Sequence, residues 1–301
     1  MRKHLTIAVG KTSDTKLHLI SKLLWFRMVF VAALLGCLSG GSPNLLAAGS
    51  VDLPGNAASF DLFLLLGQSN MKGRGVVPKL QTPDPCIQMF TMRDDQWCTA
   101  SDPLHASGVA DAVDGSDNAG VGPGMSFARS LRRDDPQAVI GLIPGAAGGS
   151  WIELWRSGHP KGFFDEAVRR GLLALSSDSA TKPRLKAILW LQGESDSTDG
   201  RYQLYEEKLV QLVDSLREKF NDPELPFIAC TIGTFITPHP KFKHVREIND
   251  ILLSLPELRP FTATVDARDL TGHIGDRLHY DTRSQEIIGE RFAEKYRKIK
   301  E

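Results

Sequence analysis

The sequence has no excess of charge of either sign: 36 basic and 36 acidic side chains cancel across its 301 residues. Nucleic acid demands a concentrated basic face, so no nucleic-acid partner is expected. Cysteine is scarce, at four. Four are too few for a disulfide-built scaffold, and no CxxC pair or His/Cys cluster has zinc spacing, so there is no sign of a structural metal. The glycine-rich stretch Asp114 to Gly124 fits neither GxGxxG nor GxxxxGK[ST], so it is not read as a phosphate loop. A long apolar run is missing too. The best candidate, Met28 to Leu38, is 11 residues, short of the roughly 20 that span a bilayer as a helix. No stable transmembrane anchor is expected. What is present, 42% hydrophobic and 24% charged residues, is the composition of an ordinary globular protein.

Charge is unevenly placed. Arg2, Lys3, Lys11, Lys16, Lys22 and Arg27 face only Asp14 ahead of the apolar run. A basic stretch, a short apolar run and then small residues read as a secretory signal over residues 1–48, implying export to the periplasm or the extracellular space. Lipid attachment at Cys37 is the lesser alternative. Without those residues the chain carries 30 basic and 35 acidic groups, a net charge of −5. A linker over 49–59 then leads into a single domain over 60–301.

From Phe60 onward short apolar runs alternate with amphipathic stretches, as a parallel sheet covered by helices requires. Strands are expected at Asp61 to Leu66, Ala138 to Ile143, Ala187 to Leu191, Phe227 to Ile232 and Thr262 to Val265. Helices are expected at Met125 to Arg133, Phe163 to Leu175, Tyr202 to Phe220, His244 to Leu253 and Arg283 to Lys298. A hairpin, Ile87 to Thr91 with Gln96 to Cys98, interrupts the long connection after the first strand. Its regular register sets Cys98 opposite Met89, so a Cys86–Cys98 disulfide would need a bulge.

Open parallel sheets bind ligands beyond the C-terminal ends of their strands. The first strand runs into Gly67-Gln68-Ser69-Asn70, setting a hydroxyl at that mouth. Serine needs a base to become a nucleophile, ideally a histidine held by a carboxylate. Asp276 and His279, three apart before the last helix, supply that pair; His273 has no acid at the equivalent spacing. The second strand ends in Gly145-Ala146-Ala147-Gly148-Gly149, where backbone N–H groups can face a ligand. The third ends in Gln192-Gly193-Glu194, bringing a side-chain amide. Singly these are weak signals; together they supply the parts of a serine acyl-transfer site.

The segments GQSNMKGRG, GVGPGMSFA, IPGAAGGSWIELW, LWLQGESDS and DRLHYD, in this order, resemble the SGNH hydrolases, in the branch of acetylxylan and sialate O-acetylesterases. The resemblance spans Asp61 to Lys298. It implies a flavodoxin-like three-layer α/β/α fold with a central five-stranded parallel sheet, no cofactor, and an acetylated carbohydrate as substrate. It implies Ser69 as nucleophile, His279 as base and Asp276 as its orienting acid. Ser69, Gly149 (or Gly148) and Gln192 become the oxyanion donors, Gln192 replacing the asparagine of many SGNH enzymes. A general short-chain esterase and an inactive carbohydrate-binding protein are the alternatives.

Gln68, Asn70, Gly148, Glu194 and Trp151 are candidates for site support or substrate contact. Glu194 is read as a brace between the Ser69 and Gln192 loops, and Asn70 as a loop stabiliser. Trp151 and Trp155 share a helical spacing, so at most one reaches the ligand. His105, His159, His239 and His244 are read as surface or loop residues, with His159 following the Gly149 loop closely enough to touch substrate, and Cys230 as a buried thiol.

Overall fold

The computed structural model describes residues 50–55, 57–105, 118–237 and 239–300. The expected signal segment and Cys37 lie outside the described residues, as do all but Asn118 to Gly124 of the C-terminal part of the glycine-rich connection. Seven strands form the sheet: β1 Ser59–Gly67, β2 Ile87–Phe90, β3 Trp97–Thr99, β4 Ala138–Pro144, β5 Pro183–Leu191, β6 Phe227–Cys230 and β7 Thr262–Val265. The helices are α1 Ser69–Lys72, α2 Gly124–Asp134, α3 Phe163–Leu175, α4 Tyr205–Phe220, α5 Val245–Leu258 and α6 Thr282–Lys300. Among the described residues no helix is long and apolar enough to cross a membrane.

Strand order is β3-β2-β4-β1-β5-β6-β7. Every pairing is parallel except β2 with β3. The expectation of five strands is therefore corrected to seven. The predicted hairpin does not stand apart as a loop feature, because β2 pairs alongside β4 and extends the sheet. Its register is the regular one, Met89 opposite Cys98, and Cys86 and Cys98 are free thiols. Cys230 is buried, as read from the sequence.

Side chains of β1 alternate between two cores, as the two-residue strand period dictates. Leu62, Leu64 and Leu66 pack with Ile188 and Trp190 under α3, α4 and α5. Phe63 and Leu65 pack with Leu189 and Leu191 under α2 and α6. Strand β1 is apolar on both faces because helices cover both, giving three layers. His105 departs from its expected surface position: it is 1% exposed. Burial and neighbouring cations push its ring down to about 3, so it is held neutral.

Strand β1 lies between β4 and β5, so the chain passes from one side of β1 to the other, leaving a crevice beyond its C-terminal end. The loops after β1, β4 and β5 meet at that crevice.

Candidate active site

Strand β1 ends at Gly67, whose φ is +135° and whose missing Cβ would lie 2.1 Å from the Leu191 carbonyl oxygen. Only glycine permits this close turn. It delivers Ser69 to the floor of a cavity of about 340 Å³ lined by Gln68, Ser69, Gly149, Trp151, Ser195 and His279, among others.

Ser69 Oγ is 2.9 Å from His279 Nε2, and His279 Nδ1 is 2.5 Å from Asp276 Oδ2. A carboxylate only accepts, so Nδ1 carries the proton and Nε2 is the acceptor facing the hydroxyl. The other Asp276 oxygen accepts the backbone N–H groups of Leu278 and His279, at 2.9 and 3.0 Å. Partial burial by itself would raise the Asp276 pKa; these hydrogen bonds, with the one from the His279 ring, outweigh it and hold the carboxyl below its ordinary range.

Asn70 fastens the nucleophile turn to the histidine loop. Its Oδ1 accepts the Tyr280 N–H at 3.0 Å, and its Nδ2 donates to the Leu278 carbonyl at 3.2 Å, so the residues on both sides of His279 are held. The same nitrogen donates to Glu194, which is fully buried. Gln285 of α6 donates to the Asn70 carbonyl at 2.9 Å.

Burial pushes the Glu194 carboxyl up to about 7, with nearby Asp196 adding to the rise and the Asn70 and backbone donors opposing it. An acid whose folded pKa exceeds its unfolded one binds its proton more tightly when folded. Its stabilising contribution is whole below about pH 4.5 and is lost as pH rises through 7. Glu194→Gln is therefore expected to lose less stability than the parent between pH 5 and pH 8, by about 2 to 3 kcal/mol. Urea denaturation at the two pH values measures this, and equal losses in both proteins would show Glu194 ionised throughout.

Gly149 sits at φ +68°, a left-handed conformation suited to glycine. Its carbonyl accepts the Ser195 hydroxyl at 3.0 Å, turning it toward the β5 loop. The N–H groups of Ser69 and Gly149 donate to no described residue. Gly148 lines the same cavity.

Gln192 departs from the expected oxyanion placement. It is completely buried, and its Nε2 lies against Asp196 Oδ2 at 2.6 Å, the Ser150 carbonyl at 3.1 Å and Gln68 Oε1 at 3.1 Å. An amide nitrogen has two hydrogens, so three acceptors leave none for the cavity. Asp196 also accepts the Ile152 N–H at 2.9 Å, locking the β4 and β5 loops together.

Trp155 is buried in the core, whereas Trp151 lines the cavity. Sequence reasoning missed Arg74, Asn118, Arg201, Lys241 and Phe242, which also line it. The Arg201 guanidinium lies 4.3 Å over the Trp151 ring and donates to the Ser195 carbonyl at 2.9 Å. Lys241 and Phe242 follow β6, so their place beyond a strand end was the available signal.

The sequence model for the SASA family, described as carbohydrate esterase, sialic acid-specific acetylesterase, matches residues 59–298. A probable carbohydrate esterase of Arabidopsis thaliana is 31% identical over 252 residues, covering 78% of this chain and 89% of that protein. The Arabidopsis structure superposes with a TM-score of 0.67 at 30% identity, covering 79% of this chain and 98% of that one. The fold is also shared with NanS, at TM-score 0.61 and 16% identity over 80% of this chain and 97% of that one. A carbohydrate acetylesterase of Xanthomonas citri gives TM-score 0.55 and 20% identity over 80% of this chain and 56% of that one. By its sequence match from β1 to α6, this chain belongs to the sialic acid-specific acetylesterase family of carbohydrate esterases, and it is a carboxylic ester hydrolase.

Proposed function

We propose that the protein removes O-acetyl groups from carbohydrates through an acetyl-serine intermediate. The observation that carries this reading is the continuous chain Ser69 Oγ, His279 Nε2, His279 Nδ1, Asp276 Oδ2 at 2.9 and 2.5 Å. In the first half-reaction Ser69 Oγ attacks the acetyl carbonyl carbon while its proton passes to His279 Nε2. The carbonyl electron pair moves onto oxygen and is received by the N–H groups of Ser69 and Gly149. Collapse breaks the ester bond, and His279 returns the proton to the departing sugar oxygen. In the second half-reaction a water gives its proton to His279, attacks the acetyl-serine and releases acetate, and the proton returns to Ser69.

The mouth also argues for the kind of sugar. Among the described residues that line it, Arg74, Arg201 and Lys241 are cationic and none is a carboxylate. The cations Arg201 and Lys241 at a partly enclosed cavity favour an anion. The substrate in this reading is an acetylated sugar with its own carboxylate, of the sialate or uronate kind, with Trp151 offering an aromatic face to the ring. Acetylxylan, without that charge, is the weaker substrate.

Acetate release across acetylated sialic acid, acetylated uronate-containing polysaccharide and neutral acetylxylan tests the reading. The acidic sugars are expected to have the higher kcat/KM, with a preference that shrinks as salt is added. Arg201→Ala is expected to raise KM for the acidic sugars about tenfold more than for a neutral aryl acetate, the worth of one charge-assisted contact. Equal KM changes on both substrates would remove Arg201 from charge recognition, and no acetate release from any carbohydrate would end the proposal.

A further inference from the structure

We propose that His244, as an imidazolium, ties together the two loops that carry Arg201 and Lys241, so that recognition of an acidic sugar weakens as pH rises. The proposal rests on the acidic-sugar reading above and makes His244 a positioning residue for it.

Two of the cations at the cavity mouth come from separate connections. Arg201 belongs to the loop after β5, Lys241 and Phe242 to the loop after β6, and all three line the cavity. His244 closes the second loop, immediately before α5, and is not among the described residues lining the cavity. Its backbone N–H donates to the Ser197 carbonyl at 3.0 Å. Its ring lies on Tyr202, with centroids 3.7 Å apart and planes 17° from parallel. Ring atom Nε2 is 2.8 Å from Asp199 Oδ1. One residue of the β6 loop therefore grips the β5 loop at Ser197, Asp199 and Tyr202, on both sides of Arg201 in the chain. Arg201 in turn lies over Trp151 and donates to the Ser195 carbonyl, so its reach into the cavity depends on where that loop is held.

The protonation of the ring follows from its partners. Nε2 faces Asp199, and Nδ1 faces Glu247 Oε1 at 3.2 Å. Both partners are carboxylates, which only accept, and a neutral imidazole has a single N–H to give. Imidazolium alone satisfies both contacts. The hydrogen bond to Asp199 foremost, and that to Glu247, outweigh the cost of partial burial and hold the ring above its ordinary pKa. Two other charges stand beside this group: Lys243 binds the second Asp199 oxygen at 2.7 Å, and Arg246 of α5 approaches Asp250 at 3.7 Å.

A base whose pKa is raised keeps its proton at low pH, so the tie is whole at pH 5.5 and is lost as pH rises through the folded value. A neutral ring must set a bare nitrogen against one of the two carboxylates, whichever tautomer it takes. The Asp199 side chain is 68% exposed, and exposed ion pairs are weak and screened, so the effect on substrate is a few-fold.

The test compares KM for an O-acetylated sialic acid with KM for 4-nitrophenyl acetate at pH 5.5 and pH 8. Titration of the catalytic base acts on both substrates, so the ratio of the two KM values isolates recognition of the acid. In the parent that ratio is expected to rise about three- to fivefold between the two pH values. His244→Gln is expected to show the high ratio already at pH 5.5, with no further rise and with kcat on the aryl acetate within about twofold of the parent. Asp199→Asn is expected to lose the pH step in the same way, and stands in for His244→Gln if that variant does not fold. Nitrogen NMR of the parent at pH 5.5 is expected to show both His244 ring nitrogens protonated. A pH step that survives in His244→Gln, a parent that prefers acidic sugars but shows no step, or a neutral His244 ring at pH 5.5 overturns the proposal. Failure of the underlying reading looks different: the parent would show no preference for the acidic sugar over acetylxylan at pH 5.5.

Discussion

Ser69→Ala is expected to lower kcat on acetyl esters by at least about 10⁴-fold while leaving the fold intact. The Ser69 hydroxyl makes its hydrogen bond to His279, which is itself held independently through Asp276 and the Asn70 bridge, so removing one oxygen leaves the surroundings in place. What disappears is the hydroxyl on which the proposed mechanism forms its acetyl intermediate. The backbone donors survive, so the variant keeps the residual rate that oxyanion binding alone provides. Mass spectrometry of the quenched reaction provides the second readout: an acetyl adduct on the parent protein at Ser69 and none on the variant. Turnover near the parent rate, or an adduct elsewhere, would remove Ser69 from the chemistry and the acetyl-serine mechanism with it.

Asp276→Asn is expected to lower kcat by about 10³- to 10⁴-fold with little change in KM. The geometry makes this substitution unusually restrictive. One side of the Asp276 carboxyl accepts the N–H groups of Leu278 and His279, and an asparagine must keep its oxygen there because an NH₂ group would meet two donors. Its NH₂ group is then forced against His279 Nδ1, which must accept. The ring proton moves to Nε2, the atom facing Ser69 Oγ, and the base becomes a donor. Nitrogen NMR of the histidine side chains would record the tautomer change directly. A variant with the ring proton still on Nδ1 and kcat within tenfold of the parent would show that Asp276 does not orient the base.

Some of this was legible along the chain. Strands β1, β4, β5, β6 and β7 were readable because buried parallel strands are short apolar runs, as in Leu62 to Leu66, and α3 was bounded correctly by its amphipathic period. The residue types of the site were readable because a polar, glycine-rich break follows β1, β4 and β5 in turn. Asp276 and His279 were readable because three residues in a turn suffice to join them. Other features depended on partners far along the sequence. The hairpin's membership in the sheet rests on β2 lying beside β4, across a connection of nearly 50 residues. The expected helix from Tyr202 begins as a separate turn, with α4 starting at Tyr205. Helix α5 continues through Pro256 to Leu258, because the buried Ile248, Leu252 and Leu255 keep its apolar stripe on the core. His105 resembled a loop histidine only until the protein closed around it.

The sequence by itself determined the sheet-and-helix alternation, the family, and the set of chemical groups delivered to one edge of the sheet. Periodicity and strand-end composition are local properties of a chain, and they carry that much. Tertiary structure alone decided which glutamine faces the cavity, which tryptophan lines it, and that three cations gather at its mouth. A side-chain amide is turned by the donors and acceptors around it, and for Gln68 these come from residues more than 120 positions away. Arg74, Arg201 and Lys241 likewise share a field only because the loops beyond three strands converge there. Charge is a property of each residue, but the potential at a site depends on distance, and distance is fixed by the fold.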